Sequence, residues 1–167
     1  MRKTILFIVA LLLGGLPAGP AAADPPGHGH AHGKHDPSLG AQLAEVRAAT
    51  AHYHDVTVAM EDGYVETPCV EHPELGAMGH HYANFDLIEH VMETGELDVT
   101  APPILLYVPD ANGELRLAGV EYISGDAGSV LGQDLKPGGP FPFALHVWVW
   151  QDNPAGMFAD FNPRLSC

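Results

Sequence analysis

Basic residues are scarce in this chain, which has seven Lys and Arg against 21 Asp and Glu in 167 residues. The formal net charge is −14 at pH 7 with histidine neutral. Nucleic acids and anionic membranes are both polyanions, so this balance argues against either as a partner. It favours solubility and the attraction of cations. Many exported proteins are simply acidic, so the charge alone does not identify a metal-binding protein.

Long apolar runs are also missing. The run Ile5–Leu13 is too short to span a bilayer, and no later run is longer. It follows the basic residues Arg2 and Lys3 and precedes three alanines at positions 21–23, which is the order of a cleaved secretory signal. We therefore expect a signal peptide over residues 1–23, no membrane span after its cleavage, and a secreted or periplasmic protein.

Cysteine is limited to Cys69 and Cys167. An even number of cysteines in an exported chain favours one disulfide, here between the last residue and the first third of the fold. A metal site built on thiolates is the alternative.

Familiar catalytic motifs are absent as well. The chain has no H-x-x-E-H, H-E-x-x-H or C-x-x-C pattern, no serine in a G-x-S-x-G setting, and no P-loop. The sequence therefore indicates no reaction and no catalytic residue, and it leaves open whether the protein is an enzyme.

Histidine, in contrast, is abundant, with 11 residues. Four of them, His28, His30, His32 and His35, lie in a Gly-spaced tract just after the expected signal. Residues 24–37 show no apolar periodicity, so we expect a disordered tail. Imidazole is a common ligand for transition metals, and the tract is typical of a loose metal-ion collector. A soluble linker without a metal role is the alternative.

Residues 38–167 predict a single α+β domain in which helices pack on a small antiparallel sheet. Asp36 and Pro37 predict the start of a long helix that ends near Asp62. A second, shorter helix is expected from Asn84 to about Glu93 and ends at Gly95. The expected buried stripes are Leu43, Val46, Thr50, Tyr53 and Thr57 in the first helix, and Phe85, Ile88 and Met92 in the second.

Three strands are predicted in the second half of the chain, over residues 104–108, 115–123 and 143–150. The first two are joined by a turn that contains Asn112-Gly113. Residues 66–79 are expected to be irregular because they contain two prolines and two glycines, and residues 125–142 to form a long loop.

Four side chains from separate elements are the candidate ligands of a core metal site. His146 shares a face of its strand with Trp148 and Trp150 if side chains alternate. Only one of the adjacent His80 and His81 can point into a shared site. His54 lies at the edge of the first helix's stripe, where a structural role is the alternative.

Glu121 is the fourth candidate. Alternation gives it Leu117, Gly119 and Ile123 as neighbours on one face, and a carboxylate there needs a partner or a metal ion. The alternatives are a glutamate in water on an edge strand, or a salt bridge to Arg116 or Arg164.

The combination His54, His81, Glu121 and His146 suits a transition metal ion, Zn or Cu above all, with Mn or Fe also compatible. We therefore expect an exported protein that binds metal ions, with metal capture or tolerance in the periplasm as its role. A metal-dependent enzyme that uses the same residues is one alternative. A metal-free interaction or structural protein is another. Protein partners, the oligomeric state and any substrate are not indicated.

Residues 42–167 resemble a family of secreted bacterial proteins of unassigned function. The resemblance implies export and a compact globular domain, but no activity. It is carried by Tyr53-His54-Asp55, Cys69-Val70, Gly76-Ala77-Met78-Gly79 with His81-Tyr82-Ala83-Asn84, Gly119-Val120-Glu121-Tyr122, and His146-Val147-Trp148 with Asn153-Pro154-Ala155-Gly156-Met157-Phe158-Ala159-Asp160 through Cys167. These segments include the four candidate ligands of the core site.

Overall fold

The fold begins with helices, as the apolar stripe of the first segment predicts. The structure is a computed structural model that describes residues 38–167, so the expected signal peptide, the histidine tract, Asp36 and Pro37 lie outside it. The described elements are, in chain order, α1 (Leu39–Thr50), a 3-10 helix (Ala51–His54), α2 (Val56–Glu61), β1 (Tyr64–His72), β2 (Gly76–Asn84), α3 (Phe85–Thr94), β3 (Ile104–Pro109), β4 (Leu115–Ser124), β5 (Ser129–Val130), β6 (Gln133–Asp134), β7 (Lys136–Gly138) and β8 (Phe141–Val147).

The first helical segment is interrupted, so the prediction of one continuous helix is only partly right. Ser38 caps α1 by accepting a hydrogen bond from the backbone N–H of Ala41. Asp55 is extended and caps α2 through the N–H of Thr57. This break shifts the helical phase, so Thr57 is exposed and Ala59 is buried in its place.

The second helix, α3, matches its predicted position. The side chain of Asn84 accepts hydrogen bonds from two backbone N–H groups of the first turn, and Gly95 ends the helix with φ +72°. The predicted stripe is wrong in part: Ile88 is buried, but Phe85 and Met92 are exposed. The second buried residue is Val91, one helical turn after Ile88.

Six strands form one antiparallel sheet in the order β1-β2-β3-β4-β8-β7, and β5 pairs with β6 separately. The α+β class is therefore confirmed. Residues 66–79 were expected to be irregular, but most of them belong to the β1–β2 hairpin. Its register shifts between Thr67 and Val70, where Pro68 lies. Proline is tolerated there because β1 is an edge strand with a bulge.

The two faces of the sheet carry different side chains, because side chains alternate along each strand. On one face, Leu105, Tyr107 and Val120 pack with Leu43 and Val46 of α1, and we call this the helix-side core. On the opposite face, Ala83, Ile104, Leu106 and Ile123 pack with Ile88 of α3, and we call these five residues the pocket-side cluster.

A β-bulge in β4 changes the neighbours of Glu121. Two consecutive residues of β3 pair with Gly119 and Leu117, so Ala118 is the extra residue. Leu117 therefore lies in the helix-side core, and the prediction that it shares a face with Glu121 is wrong. Ile123, beyond the bulge, stays on the face of the carboxylate.

One disulfide joins the end of the described chain to β1. Cys69 and Cys167 are bonded with a Cα–Cα distance of 5.8 Å and a sequence separation of 98 residues. The predicted disulfide is confirmed, and the alternative of a thiolate metal site is wrong. None of the helices in residues 38–167 combines the length and the apolar character needed to cross a membrane.

Candidate metal centre

Three of the four candidate ligands lie on the pocket side of the sheet. Glu121 on β4 and His146 on β8 are each flanked on both sides by residues of the helix-side core, and His81 on β2 precedes one, Tyr82. Because side chains alternate, all three point to the opposite face. The strands thus direct two imidazoles and one carboxylate to the same side of the sheet.

The register of the sheet brings the three side chains together. Glu121 and His146 are directly paired neighbours on β4 and β8. His81 lies two strands away from Glu121, and its side chain reaches the pair across β3. Gly119 allows β8 to lie close to β4 at this point, because a Cβ atom there would be 2.5 Å from the carbonyl oxygen of Val147.

The ligand atoms lie close to, and in one pair slightly beyond, the separations that one shared metal ion requires. The Nε2 atoms of His81 and His146 are 3.3 Å apart. Glu121 places Oε2 at 3.5 Å from the first Nε2 and Oε1 at 3.8 Å from the second. Metal–ligand bonds of about 2.0–2.2 Å at tetrahedral angles place neighbouring ligand atoms roughly 3.3–3.6 Å apart. Within residues 38–167, this is the one group of three or more such side chains with metal-binding geometry.

All three side chains are buried, with relative exposures of 8% for His81, 6% for Glu121 and 4% for His146. Burial and the nearby His146 lower the pKa of His81 to about 4. Burial also raises the pKa of Glu121, although His146 opposes this shift. A buried carboxylate is costly without a compensating cation, and a divalent ion held by the same three side chains would supply that charge.

The outer nitrogens of the two imidazoles differ in their surroundings. His146 Nδ1 lies 3.7 Å from Asp160 Oδ1. Lys136 Nζ is 3.3 Å from the same carboxylate oxygen and also donates a hydrogen bond to the carbonyl of Phe158 at 2.6 Å. The interaction with His146 and the charge of Lys136 lower the pKa of Asp160, although partial burial opposes them. A carboxylate behind a ligating histidine orients the ring and increases its basicity.

His81 Nδ1 is buried and finds no hydrogen-bond partner of acceptable geometry among residues 38–167, although the nearby backbone of Gly79 acts to raise the pKa of the ring. The ring is therefore held by packing and by its Nε2 contacts. In the absence of a metal ion, the Nε2–H group of one ring would donate a hydrogen bond to the unprotonated Nε2 of the other.

His54 is not brought to this group. It is exposed, and its ring lies 4.4 Å, centroid to centroid, from that of Trp150. The Trp150 side chain packs on the helix-side core, so His54 and the three buried ligands lie on opposite sides of the sheet. The prediction that His146 shares a face with Trp150 is also wrong. The strand β8 ends at Val147, so the alternation of side chains does not continue to Trp150.

The remaining alternatives for single residues are also decided. His81 points into the site, whereas His80 Nδ1 lies 3.1 Å from a carboxylate oxygen of Glu66. Glu121 is on an interior strand, so it is not an edge-strand residue in water. Within the described residues it has no salt bridge to arginine: Arg116 binds acidic residues of its own turn, and Arg164 binds Asp152.

Two features of the site were missed by sequence reasoning. One is Asp160, which lies in a tail whose position is fixed by hydrogen bonds from Trp148 to the carbonyls of Met157 and Ala159. The other is a cavity of about 500 Å³ that contains the three ligands in its lining. Its outer wall is β7 and the start of β8, which the sequence presents as a loop rich in Gly and Pro.

The chain was also compared with known proteins. No protein-family model, no curated protein and no solved structure matches it.

Proposed function

We propose that this protein binds one transition metal ion through His81, Glu121 and His146, and that it does so outside the cytoplasm. One observation carries the proposal: three buried side chains from three strands bring their ligand atoms within 4.8 Å of one another. Two imidazoles and one carboxylate suit Zn or Cu best, and Mn or Fe less well. The biological role we propose is metal capture or tolerance in the periplasm.

Two features support the extracytoplasmic part of the proposal. The N-terminal segment has the order of a secretory signal. A disulfide also persists best in an oxidising compartment. The histidine tract at His28, His30, His32 and His35 would collect ions loosely and raise their concentration near the domain.

Metal content, measured by mass spectrometry, tests the proposal. The sample is the full chain with His→Gln substitutions at all four tract positions, and we call it the tract-free variant. It is expressed with its signal and purified untagged from the extracytoplasmic fraction. We expect it to contain about one equivalent of a single metal ion. His81→Ala and His146→Ala should each lose it. His90→Ala is the matched control because His90 is exposed on α3.

A tract-free variant that stays metal-free even after incubation with Zn²⁺ and Cu²⁺ would overturn the proposal. Retention of the metal by both His81→Ala and His146→Ala would do the same, provided that both variants are folded by circular dichroism. Secretion is tested separately, by N-terminal sequencing of the exported chain, which should begin at Asp24.

A metal-dependent enzyme is the second candidate, and the cavity is the observation that favours it. Catalytic zinc sites use three protein ligands and leave a fourth position for water or substrate, and a cavity of about 500 Å³ adjoins the three ligands here. The zinc-loaded tract-free variant should then hydrolyse an activated ester such as 4-nitrophenyl acetate faster than free Zn²⁺ does. Equal rates for this variant and His146→Ala would count against the enzyme.

A further inference from the structure

The walls of the cavity next to the metal ligands are largely apolar. Side chains from β2, β3 and β8 and prolines from β1 and the β7–β8 turn line it. The titratable side chains in its lining are the three ligands together with Lys136 and Asp160. A cavity of this size, with apolar walls and a few converging polar groups, is suited to a small organic molecule that has an apolar body and one polar end.

The charges in the cavity indicate which polar end would be accepted. Lys136 lies against Asp160, so these two charges offset each other. Without a metal ion, the lining of the cavity therefore has no unpaired lysine or arginine side chain that would attract an anion. A divalent ion held by the Glu121 carboxylate and the two imidazoles gives the site a local charge of about +1. Only the metal-loaded cavity is therefore complementary to a monoanion.

We propose that the metal-loaded cavity binds an apolar organic monoanion, such as a medium-chain carboxylate, whose head group occupies the open coordination position of the metal ion. This inference rests on the proposed metal site. The tail of the ligand lies against Met78, Ala83, Ile104 and Ala144, which belong to the apolar lining.

Octanoate and octanol are suitable probes, because they share an apolar tail and differ in the charge of the head. Each is titrated by calorimetry into the tract-free variant, both metal-free and loaded with one equivalent of Zn²⁺. Zinc should increase the affinity for octanoate by about tenfold or more, while the affinity for octanol changes by less than about twofold. With Co²⁺ in place of zinc, octanoate should change the visible absorption spectrum of the ion, and octanol should not.

Filling the cavity provides a second test that leaves the ligands in place. Ala144 lines the cavity and lies in β8. Ala144→Phe, and the milder Ala144→Leu in case the first does not fold, should weaken octanoate binding to the zinc form by about tenfold. Zinc content should stay at one equivalent. Ala111→Phe is the control, because Ala111 is exposed in the β3–β4 turn.

The outcomes separate this inference from the proposed function. A chain that takes up no metal overturns both. A chain that binds zinc but shows the same octanoate affinity with and without it overturns the inference alone. So does a Co²⁺ spectrum that octanoate leaves unchanged, or an Ala144→Leu variant that binds octanoate as tightly as the parent.

Discussion

Replacing His81 with glutamine should remove a specific pH dependence from the stability of the metal-free protein. Burial and the neighbouring His146 lower the pKa of His81 from 6.5 to about 4 in the folded chain. In the unfolded chain the pKa returns to its ordinary value of about 6.5. Between these values the unfolded chain binds a proton that the folded chain does not. The free energy of unfolding therefore falls as the pH falls through this window, and His81 contributes no pH dependence above it.

The size of the effect follows from the shift. One pKa unit corresponds to about 1.4 kcal/mol, so the lowered pKa of His81 costs the folded state about 3 kcal/mol near pH 4. Glu121 acts in the opposite direction, because burial raises its pKa and its folded form favours the proton. The wild-type curve alone mixes the two contributions. The difference between wild type and His81→Gln reports the protonation of His81 together with its coupling to His146 and Glu121.

Urea denaturation followed by circular dichroism, with a chelator present, measures this difference between about pH 7 and about pH 4. The unfolding free energy of wild type relative to His81→Gln should fall by about 3 kcal/mol across this range. A difference for His81→Gln that does not change with pH would show that its ring protonates freely in the folded chain, and would refute the inference of a dry site.

Three further predictions concern the frame of the site. Gly119→Ala should lower the free energy of unfolding, measured by urea denaturation, by about 1–3 kcal/mol, because the new Cβ would lie 2.5 Å from the carbonyl oxygen of Val147. The control Gly128→Ala should leave it unchanged, because a Cβ at this position meets nothing within 4 Å. Replacing both cysteines with serine should lower it by about 2–5 kcal/mol in the same assay. Asp160→Asn should weaken Zn²⁺ binding by about 10–100-fold, measured in competition with a chromogenic chelator. The control Asp152→Asn should leave Zn²⁺ binding unchanged, because Asp152 is exposed.

The parts of the fold with strong local signals could be predicted from the sequence. Asn84 and Gly95 mark the ends of α3 because a cap and a left-handed residue are determined within one helical turn. The alternation in β8 correctly places His146 opposite the apolar side chains of its strand as far as Val147. The disulfide could be predicted because the chain has only two cysteines.

The β1–β2 hairpin could not be predicted because its signals are irregular. Pro68 lies at a bulge, and Gly79 has φ +88° so that β2 can approach β3. These residues disrupt the alternation of apolar and polar side chains on which strand prediction depends. The bulge at Ala118 has a similar effect, because one extra residue moves Leu117 to the other face while it leaves Glu121 in place. Neither effect is visible in local spacing.

The separation of His54 from the other candidates follows from the layered architecture. A helix that packs on a sheet can contribute ligands only to strand residues that face it, and here those residues form the helix-side core. Glu121 lies between two such residues, so its carboxylate must point away from α1. A fourth ligand for a metal ion bound there must therefore come from the pocket side of the sheet. In the lining of the cavity Asp160 is the one further carboxylate, and it lies behind His146, so the remaining coordination position would be left to a molecule in the cavity.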